Sequence, residues 1–295
     1  MARPADIRIG VSGWTYAPWR GHFYPEGLPQ KHELAHASRV FNSIEINGTF
    51  YGLQKLDAFQ RWADETPDGF VFAVKGSRYL THMLKLREPE KPLANFIASG
   101  VLRLGPKLGP ILWQFPPNFR FDPARLEPFL AMLPADTEAA ATLARMHDVR
   151  LDGRAWTRTD AKRPVRHAVE IRHESFRDPA FIQLLRRYGV ALVCADTVKW
   201  PRLMDLTADF VYCRLHGSKT LYKSAYSKAE IDRWADRAVA WATGRPMNDG
   251  EFASSPAGRS QRRKVYVYFD NTDKRQAPIN ARQIARRIAE KLAAS

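Results

Sequence analysis

Short runs of β-branched and aromatic residues alternate along the chain with stretches of helical periodicity. The predicted strands span residues 7–11, 43–46, 70–74, 110–115, 167–171, 191–194, 210–214 and 265–269. Several runs are apolar at nearly every position, which is typical of parallel strands covered by helices. Eight strands, each followed by a helix, predict an α/β fold with one (β/α)₈ TIM barrel, although an open doubly wound sheet gives a similar pattern.

The helical stretches have recognisable ends. Asp122 and Asp178, each followed by proline, are predicted to cap helix N-termini, because an aspartate before proline is typical of a first turn. Gly189 is predicted to end a helix before the sixth strand. Ser227 and Glu230 have the spacing of a capping box, in which side chains satisfy the first amides of a helix.

Two segments interrupt the alternation. Residues 134–164 are rich in Ala, Asp and Arg, and residues 244–264 contain several Gly, Pro, Asn and Arg residues. We interpret both as helix-to-strand insertions in a single TIM-barrel domain over residues 1–295. Such connections lie opposite the usual active site of a barrel, so their charge is weaker evidence for substrate binding.

Composition limits the class of protein. A chain of 295 residues that is 45% hydrophobic can bury a large core, and no apolar run is long enough to span a bilayer. The N-terminus lacks the apolar region of a signal peptide, so we expect a cytoplasmic protein without a membrane partner. Cys194 and Cys213 lie in apolar runs and are expected to be reduced core thiols rather than a disulfide.

The formal net charge is +15, from 46 Lys and Arg against 31 Asp and Glu. Residues 1–150 carry 18 basic and 15 acidic side chains, and residues 151–295 carry 28 and 16, so most of the excess is in the second half. A field of this sign attracts nucleic acids and phosphorylated metabolites. A solvated basic surface without a dedicated ligand explains the charge equally well.

Polar residues stand where most of the predicted strands end, and barrel chemistry collects at the carboxyl ends of strands. Five of these residues have side chains suited to proton transfer and are our catalytic candidates: Glu45, Lys75, Glu170, His173 and His216. Twelve others supply aromatic, amide, charged or loop groups and are our substrate-binding candidates: Trp14, Tyr16, Trp19, Asn47, Tyr51, Gln114, Arg172, Asp196, Arg214, Gly217, Ser218 and Asn271.

Several of these strand ends lie in longer motifs that resemble the YecE-like family of TIM-barrel proteins. The matching stretches are residues 10–14, 19–25, 41–51, 109–117, 170–176, 212–217 and 268–271. They run from the first predicted strand to the eighth, so the resemblance covers nearly the whole chain, and it implies a TIM barrel. It implies no activity, because the family has none established and is only loosely grouped with sugar-isomerase-like barrels.

The strand-end carboxylates and imidazoles could act with or without a metal. Six residues would suit a divalent ion: Glu45, Glu170, His173, Asp196, His216 and Asp270. No His-x-x-x-His pair occurs among these strand-end residues, so we favour ion pairs, for example Glu170 with Arg172 or Arg214, over a metal cofactor. Lys75 is interpreted as a counter-charge for Glu45 in preference to a Schiff-base amine.

We therefore expect an enzyme that acts on a small anionic, phosphorylated, sugar-like or nucleotide-like substrate. Isomerase- or lyase-type proton transfer is the first hypothesis, and hydrolysis is its nearest competitor. Aromatic side chains beside Lys and Arg, and the Gly217–Ser218 loop after the seventh strand, favour such a ligand. The alternative is a nucleic-acid-binding barrel, either a metal-dependent phosphodiester hydrolase or a non-catalytic protein, in which the basic residues 259–264 contribute.

Overall fold

A computed structural model describes residues 5–247, 249–254, 261–271 and 275–294. Eight strands are present in this part of the chain, close to those predicted. They are β1 (Ile7–Val11), β2 (Ser43–Ile46), β3 (Val71–Lys75), β4 (Leu108–Gln114), β5 (His167–Glu170), β6 (Ala191–Asp196), β7 (Phe210–Leu215) and β8 (Lys264–Phe269). Strands β1 and β2 have the predicted bounds, and the bounds of the other six shift by one or two residues.

Helices follow the strands in sequence. They are α1 (Glu33–Val40), α2 (Gly48–Tyr51), α3 (Leu56–Asp64), α4 (Glu90–Ala98), α5 (Pro123–Met132), α6 (Thr137–Ala144), α7 (Pro179–Tyr188), α8 (Lys228–Thr243) and α9 (Gln276–Ala293). A π-helix spans Tyr79–Met83, and short 3₁₀ turns span Ala17–Trp19, Gln30–His32, Val101–Lys107, Val149–Leu151 and Glu174–Phe176.

The strands form one sheet with the order β1-β8-β7-β6-β5-β4-β3-β2. Each pairing resolved in register is parallel, including β1 with β8, β4 with β5 and β6 with β7. Eight parallel strands that alternate with helices define an α/β fold of the (β/α)₈ TIM-barrel class. The predicted fold class is confirmed, and the doubly wound alternative is wrong.

The chain divides into two compact units. Unit 1 comprises residues 1–44 and 177–295, and unit 2 comprises residues 45–176. The expectation of one domain stays a prediction. In unit 1, the stripe of Ile231, Trp234, Ala238 and Trp241 on α8 is buried, as its spacing predicts. Cys194 and Cys213 face each other in the register of β6 and β7, and both are free and buried.

The predicted helix ends are confirmed. Asp122 and Asp178 accept hydrogen bonds from the backbone amides two residues further on, and Gly189 has a φ of 62°, in the left-handed region. Ser227 and Glu230 form the reciprocal capping box of α8. These local signals were reliable because a cap depends on neighbouring residues and needs no tertiary information.

The first predicted insertion contains helical structure, and the second is described only in part. Residues 134–164 contain α6, which Asp136 caps, and the 3₁₀ turn Val149–Leu151. In the segment 244–264, Gly244 ends α8, whereas residues 248 and 255–260 lie outside the described residues. In the part of the chain that the structure describes, no helix combines the length and apolar character needed to cross a membrane.

Candidate functional site

Unit 2 brings four polar residues to the carboxyl ends of β2 to β5. Glu45 precedes the last residue of β2, and Lys75, Gln114 and Glu170 are the last residues of β3, β4 and β5. Gln114 is the register partner of Glu170. All four are at most 8% exposed, although polar side chains normally remain in water. We call these residues, together with Arg78, His82 and Arg172, the strand-end cluster.

Glu170 and Arg172 form the predicted ion pair. Arg172 Nε and Nη2 both lie close to Glu170 Oε1, at 2.8 Å and 2.7 Å. The glutamate side chain is fully buried and the arginine side chain is only 11% exposed. Two N–H donors on one carboxylate fix the orientation of the guanidinium.

Lys75 lies against the aromatic ring of Phe50. Its Nζ is 4.2 Å from the ring centroid, and Thr49 Oγ1 donates to the Lys75 carbonyl at 2.6 Å. The hydrogen bond from Thr49 to the Lys75 carbonyl connects the segment after β2 to the end of β3, so it fixes the position of the lysine backbone. The predicted pairing of Lys75 with Glu45 stays a prediction.

His82, on the π-helix, is the residue around which this cluster is organised. Its Nδ1 is 2.9 Å from Thr81 Oγ1, and its Nε2 is 3.4 Å from Gln114 Nε2. Burial, together with the charges of Lys75, Arg172 and Arg78, lowers its pKa to about 4, against the raising effect of Glu170. The imidazole is therefore neutral at pH 7 and lies among three cations.

Three other predicted residues of unit 2, Asn47, Tyr51 and His173, lie within a few positions of the cluster residues along the chain. Asn47 precedes α2, and its Oδ1 atom is buried without a hydrogen-bond partner among the described residues. Tyr51 is 68% exposed, and the Arg78 guanidinium lies 5.7 Å from its ring. His173 Nδ1 is 2.9 Å from Ser175 Oγ, which also accepts from the Phe121 amide.

Unit 1 contains a second polar group, at the ends of β7 and β8. Asp270 Oδ2 lies 3.1 Å from Arg214 Nη2 and 2.9 Å from His216 Nδ1. Arg214 and His216 are fully buried. A carboxylate this close to an imidazole nitrogen can orient the ring electrostatically. His216 and Asp270 could act as an acid–base pair, and Arg214 neutralises the charge of the Asp270 carboxylate.

The other predicted polar residues of unit 1 are engaged in structural contacts. Asp196, at the end of β6, receives hydrogen bonds from Arg202 at 3.1 Å and Trp234 Nε1 at 3.2 Å. Asn271 is fully buried and donates to the Ser224 carbonyl and to Asn280 Oδ1. These hydrogen bonds explain the burial of Asp196 and Asn271. They do not by themselves support a role for either residue in ligand binding.

The loop after β7 is closed by its own hydrogen bonds. Gly217, with a φ of 103°, donates its amide to the Tyr226 hydroxyl at 3.0 Å, and half-buried Ser218 follows it. The amides of Lys219 and Thr220 both donate to Ser224 Oγ at 3.1 Å. A phosphate-binding loop presents its amides to the ligand, so this loop gives little support to the predicted phosphate site.

The aromatic residues after β1 mainly pack against one another. Trp19 is fully buried and contacts Tyr16, Phe23 and Tyr24 at centroid distances of 4.7, 5.6 and 6.1 Å. Tyr16 donates its hydroxyl to the Ser12 carbonyl at 2.6 Å. Trp14 and Tyr16 are half-buried. Of the three predicted aromatic residues in this segment, these two retain exposed area for a ligand.

Within the described ranges, no group of three or more His, Cys, Asp or Glu side chains is arranged to hold a metal ion. The six residues considered for a metal are divided between the units, Glu45, Glu170 and His173 in unit 2 and Asp196, His216 and Asp270 in unit 1. Five of them are seen in ion pairs or hydrogen bonds with protein groups.

Three residues of these clusters were absent from the predicted catalytic and binding sets. Arg78 and His82 lie at the start of and within the π-helix that follows β3, and Asp270, considered only as a metal ligand, follows β8. Their position just after a strand was the available signal. The sequence could not show that the π-helix turns His82 toward Gln114, because that contact joins residues 32 positions apart.

The protein is therefore a TIM barrel whose parallel strands end in buried charged residues. The chain belongs to the family described as "Protein of unknown function DUF72", whose model matches residues 8–295. It is 32% identical to UPF0759 protein YecE of Escherichia coli (strain K12) over 113 residues, 38% of this chain and 39% of that protein. It is 29% identical to UPF0759 protein YunF of Bacillus subtilis (strain 168) over 118 residues, 38% and 41% of the two chains. The matched segments thus span about two fifths of the length of these relatives.

Solved structures of the same family have the same fold. A DUF72 family protein from Thermotoga maritima superposes with a TM-score of 0.69 and 24% identity over 96% of this chain and 99% of that one. One from Enterococcus faecalis gives a TM-score of 0.65 with 15% identity, over 96% and 95%. The resemblance inferred from the sequence motifs is confirmed.

Proposed function

We propose that this protein is an enzyme that binds a small anionic, phosphorylated, sugar-like or nucleotide-like substrate and transfers protons on it, as isomerases and lyases do. The observation that carries the proposal is the excess of cations around neutral His82 in unit 2. Lys75, Arg78 and Arg172 all act on its pKa, against one opposing carboxylate, that of Glu170. Cations that outnumber nearby carboxylates favour an anionic ligand.

The cations in this cluster differ in how firmly they are held. Arg172 is fixed by Glu170, so it offers its remaining N–H donors in a set direction. Lys75 is 8% exposed beside Phe50, and a lysine ammonium in such a position costs desolvation energy that an anion would offset. Arg78 is exposed and lies over Tyr51, where it can follow a ligand as it enters.

Proton transfer is assigned to Glu45, and Glu170 is assigned to the orientation of Arg172. A buried carboxylate is a suitable base for a carbon next to a carbonyl group. Lys75 can stabilise the negative charge that develops on the carbonyl oxygen, and His82 Nε2, which accepts from Gln114 Nε2, orients the Gln114 side chain. In unit 1, the His216–Asp270 pair is a separate candidate for proton transfer.

The test is a thermal-shift screen of sugar phosphates and nucleoside monophosphates, each beside its dephosphorylated form. A phosphorylated ligand at about 100 times its Kd should stabilise the native state by about 2.7 kcal/mol. Lys75→Gln should weaken its binding about tenfold or more, because a charge-assisted contact is lost. The matched control Lys55→Gln removes an exposed lysine at the start of α3 and should bind normally.

Catalysis is tested with the ligand that the screen identifies. Glu45→Gln should retain binding and lose at least about 100-fold in kcat, the usual contribution of a general base. Circular dichroism must show that each variant is folded. Equal stabilisation by the dephosphorylated compounds, or unchanged binding by folded Lys75→Gln, would show that the strand-end cluster does not bind an anion.

A further inference from the structure

Unit 2 has a second polar cleft, lined by segments that precede strands β4 and β5. One wall consists of α3 and the turn Val101–Lys107, which leads into β4. The other wall consists of residues 156–160, within the insertion before β5. The cleft has a volume of about 350 Å³, in the range that small-molecule sites occupy. The strand-end cluster, by contrast, lies at the carboxyl ends of these strands.

Trp156 and two arginines form the centre of this cleft. The guanidinium carbon of Arg103 lies 4.8 Å from the Trp156 ring centroid, and that of Arg158 lies 4.6 Å from it. The Trp156 amide donates to the Ala98 carbonyl at 2.7 Å, which fixes the backbone that carries the ring. Guanidinium groups stack on aromatic faces, and their own outer faces then accept another flat ring.

The cations of the cleft are only partly neutralised. Lys107 Nζ donates to three uncharged oxygens, the carbonyls of Ala63 and Thr66 and the Thr66 hydroxyl. Arg103 reaches Asp57 at 3.3 Å, but that carboxylate is 93% exposed, so water weakens the pair. The Arg103 Nε atom is buried and has no hydrogen-bond partner among the described residues.

The two acidic residues of the cleft both have hydrogen-bond partners, Asp160 outside the cleft and Asp64 on its wall. Asp160 forms two hydrogen bonds with the Arg163 guanidinium, at 2.6 and 2.7 Å. Asp64 accepts from Gln60 Nε2 at 2.9 Å. The cleft therefore combines a stacking surface with cations whose charge exceeds that of the nearby carboxylates, a combination that suits a flat ring carrying an anionic group.

We propose that this cleft is a second ligand site, for a heterocyclic ring that carries a phosphate, such as a nucleoside monophosphate. The ring stacks on the guanidinium of Arg158 or Arg103, and the phosphate accepts hydrogen bonds from the exposed part of the Arg103 guanidinium and is attracted by the charge of the Lys107 ammonium. The site is independent of the proposed activity, because it uses none of the residues of the strand-end cluster.

Titration calorimetry of the full chain with adenosine 5′-monophosphate tests the site, with adenosine and inorganic phosphate as partial ligands. In Lys75→Gln, whose strand-end cluster is weakened, the nucleotide should bind this cleft with one-to-one stoichiometry, and each partial ligand should bind at least about tenfold more weakly, because it lacks one of the two interactions. Any additional binding by the wild type that Lys75→Gln loses belongs to the strand-end cluster.

Variants locate the binding. Arg158→Gln should weaken it about tenfold, whereas Arg145→Gln, which removes an exposed arginine of the same unit, should not. Trp156→Phe should retain binding and lose the ligand-induced change in tryptophan fluorescence, and Trp156→Leu should lose binding. The proposal is overturned if the nucleotide does not saturate the protein, if both arginine variants weaken binding equally, or if Lys75→Gln abolishes it.

Discussion

Two histidines of unit 2 illustrate how burial sets the chemistry of single residues. His167, at the start of β5, lies 3.2 Å from the Trp113 indole nitrogen, which donates to it, and 2.9 Å from the Pro134 carbonyl. Burial lowers its pKa to about 4. His82 has a pKa lowered to a similar value, by burial and by the neighbouring cations. Both imidazoles are neutral in the native protein at pH 7, where each makes directed hydrogen bonds.

These histidines predict a loss of stability in acid. The unfolded chain protonates histidine near pH 6.5, whereas the native protein resists protonation down to about pH 4. Stability from the neutral form is therefore complete above pH 6.5 and is lost as the pH falls toward 4. Between pH 7.5 and pH 5, His167 should account for about 2 kcal/mol of this loss, and half-buried His82 for less because solvent screens its charge.

The measurement is urea denaturation of the wild type and His82→Gln at both pH values. The variant should lose less stability than the wild type on acidification, because glutamine keeps hydrogen-bonding capacity without titrating. His22→Gln, which removes an exposed imidazole, controls for the loss of any histidine. If His82→Gln and His22→Gln change the pH dependence equally, the cations around His82 do not govern its protonation.

For single residues, the sequence predicted the position in the fold better than it predicted the side chains in contact. It predicted that Glu170 and Arg172 share one side of a strand end, because alternate residues of a strand point the same way, and the ion pair confirms this. It could not assign Asp270 to Arg214 and His216, since that contact depends on how β7 pairs with β8. Partners of long sequence separation are fixed by register, which a single sequence does not reveal.

At the scale of elements, the close approach of β1 and β2 in unit 1 depends on Gly10. A Cβ atom built on this residue would lie 1.8 Å from the Ser43 carbonyl oxygen. The Ile9 amide also donates to the Asn42 side chain at 2.7 Å, so the first two strands are held at short range. The backbone of Ser43 cannot withdraw without breaking these contacts.

Gly10→Ala should therefore destabilise the protein strongly, by about 3 kcal/mol or more, because overpacking against a backbone atom forces the strands apart. Gly52→Ala is the matched control. Gly52 is exposed, its backbone is extended, and a Cβ there meets no atom within 4 Å. Chemical denaturation of both variants measures the difference, and a Gly10→Ala protein as stable as Gly52→Ala would contradict the close spacing of β1 and β2.

The elements themselves were largely predictable, since each strand is a local apolar run and each cap a local motif. The differences have physical causes. Strands β6 and β7 extend through Asp196 and Leu215, because their last residues still pair with each other in the sheet. The π-helix at Tyr79–Met83 was not predicted, since one extra residue per turn has no clear sequence signature.

At the scale of the whole molecule, the net charge of +15 is the feature that favours nucleic-acid binding. The basic residues 259–264 are the cluster to which this binding was attributed. Arg259 lies outside the described residues. Arg263 donates to the Ala208 carbonyl, and burial lowers its pKa, while Lys264 pairs with Asp6 at 3.1 Å. Arg262 is exposed. Arg263 and Lys264 thus make internal contacts, which weakens the case for a dedicated phosphate-binding surface.

We therefore expect only weak, salt-sensitive association with duplex DNA. At physiological salt the Kd should lie at roughly 10⁻⁶ M or above, as for non-specific binding, and the affinity should fall steeply between about 50 and 200 mM salt, because counterion release then drives binding less strongly. Arg262→Gln should lower the affinity slightly and leave ligand binding at the strand-end cluster unchanged. Fluorescence anisotropy with a labelled duplex measures the DNA affinity of both proteins. A Kd far below roughly 10⁻⁶ M that persists at about 200 mM salt would instead favour nucleic acid as the partner, because contacts beyond phosphate neutralisation would then be needed.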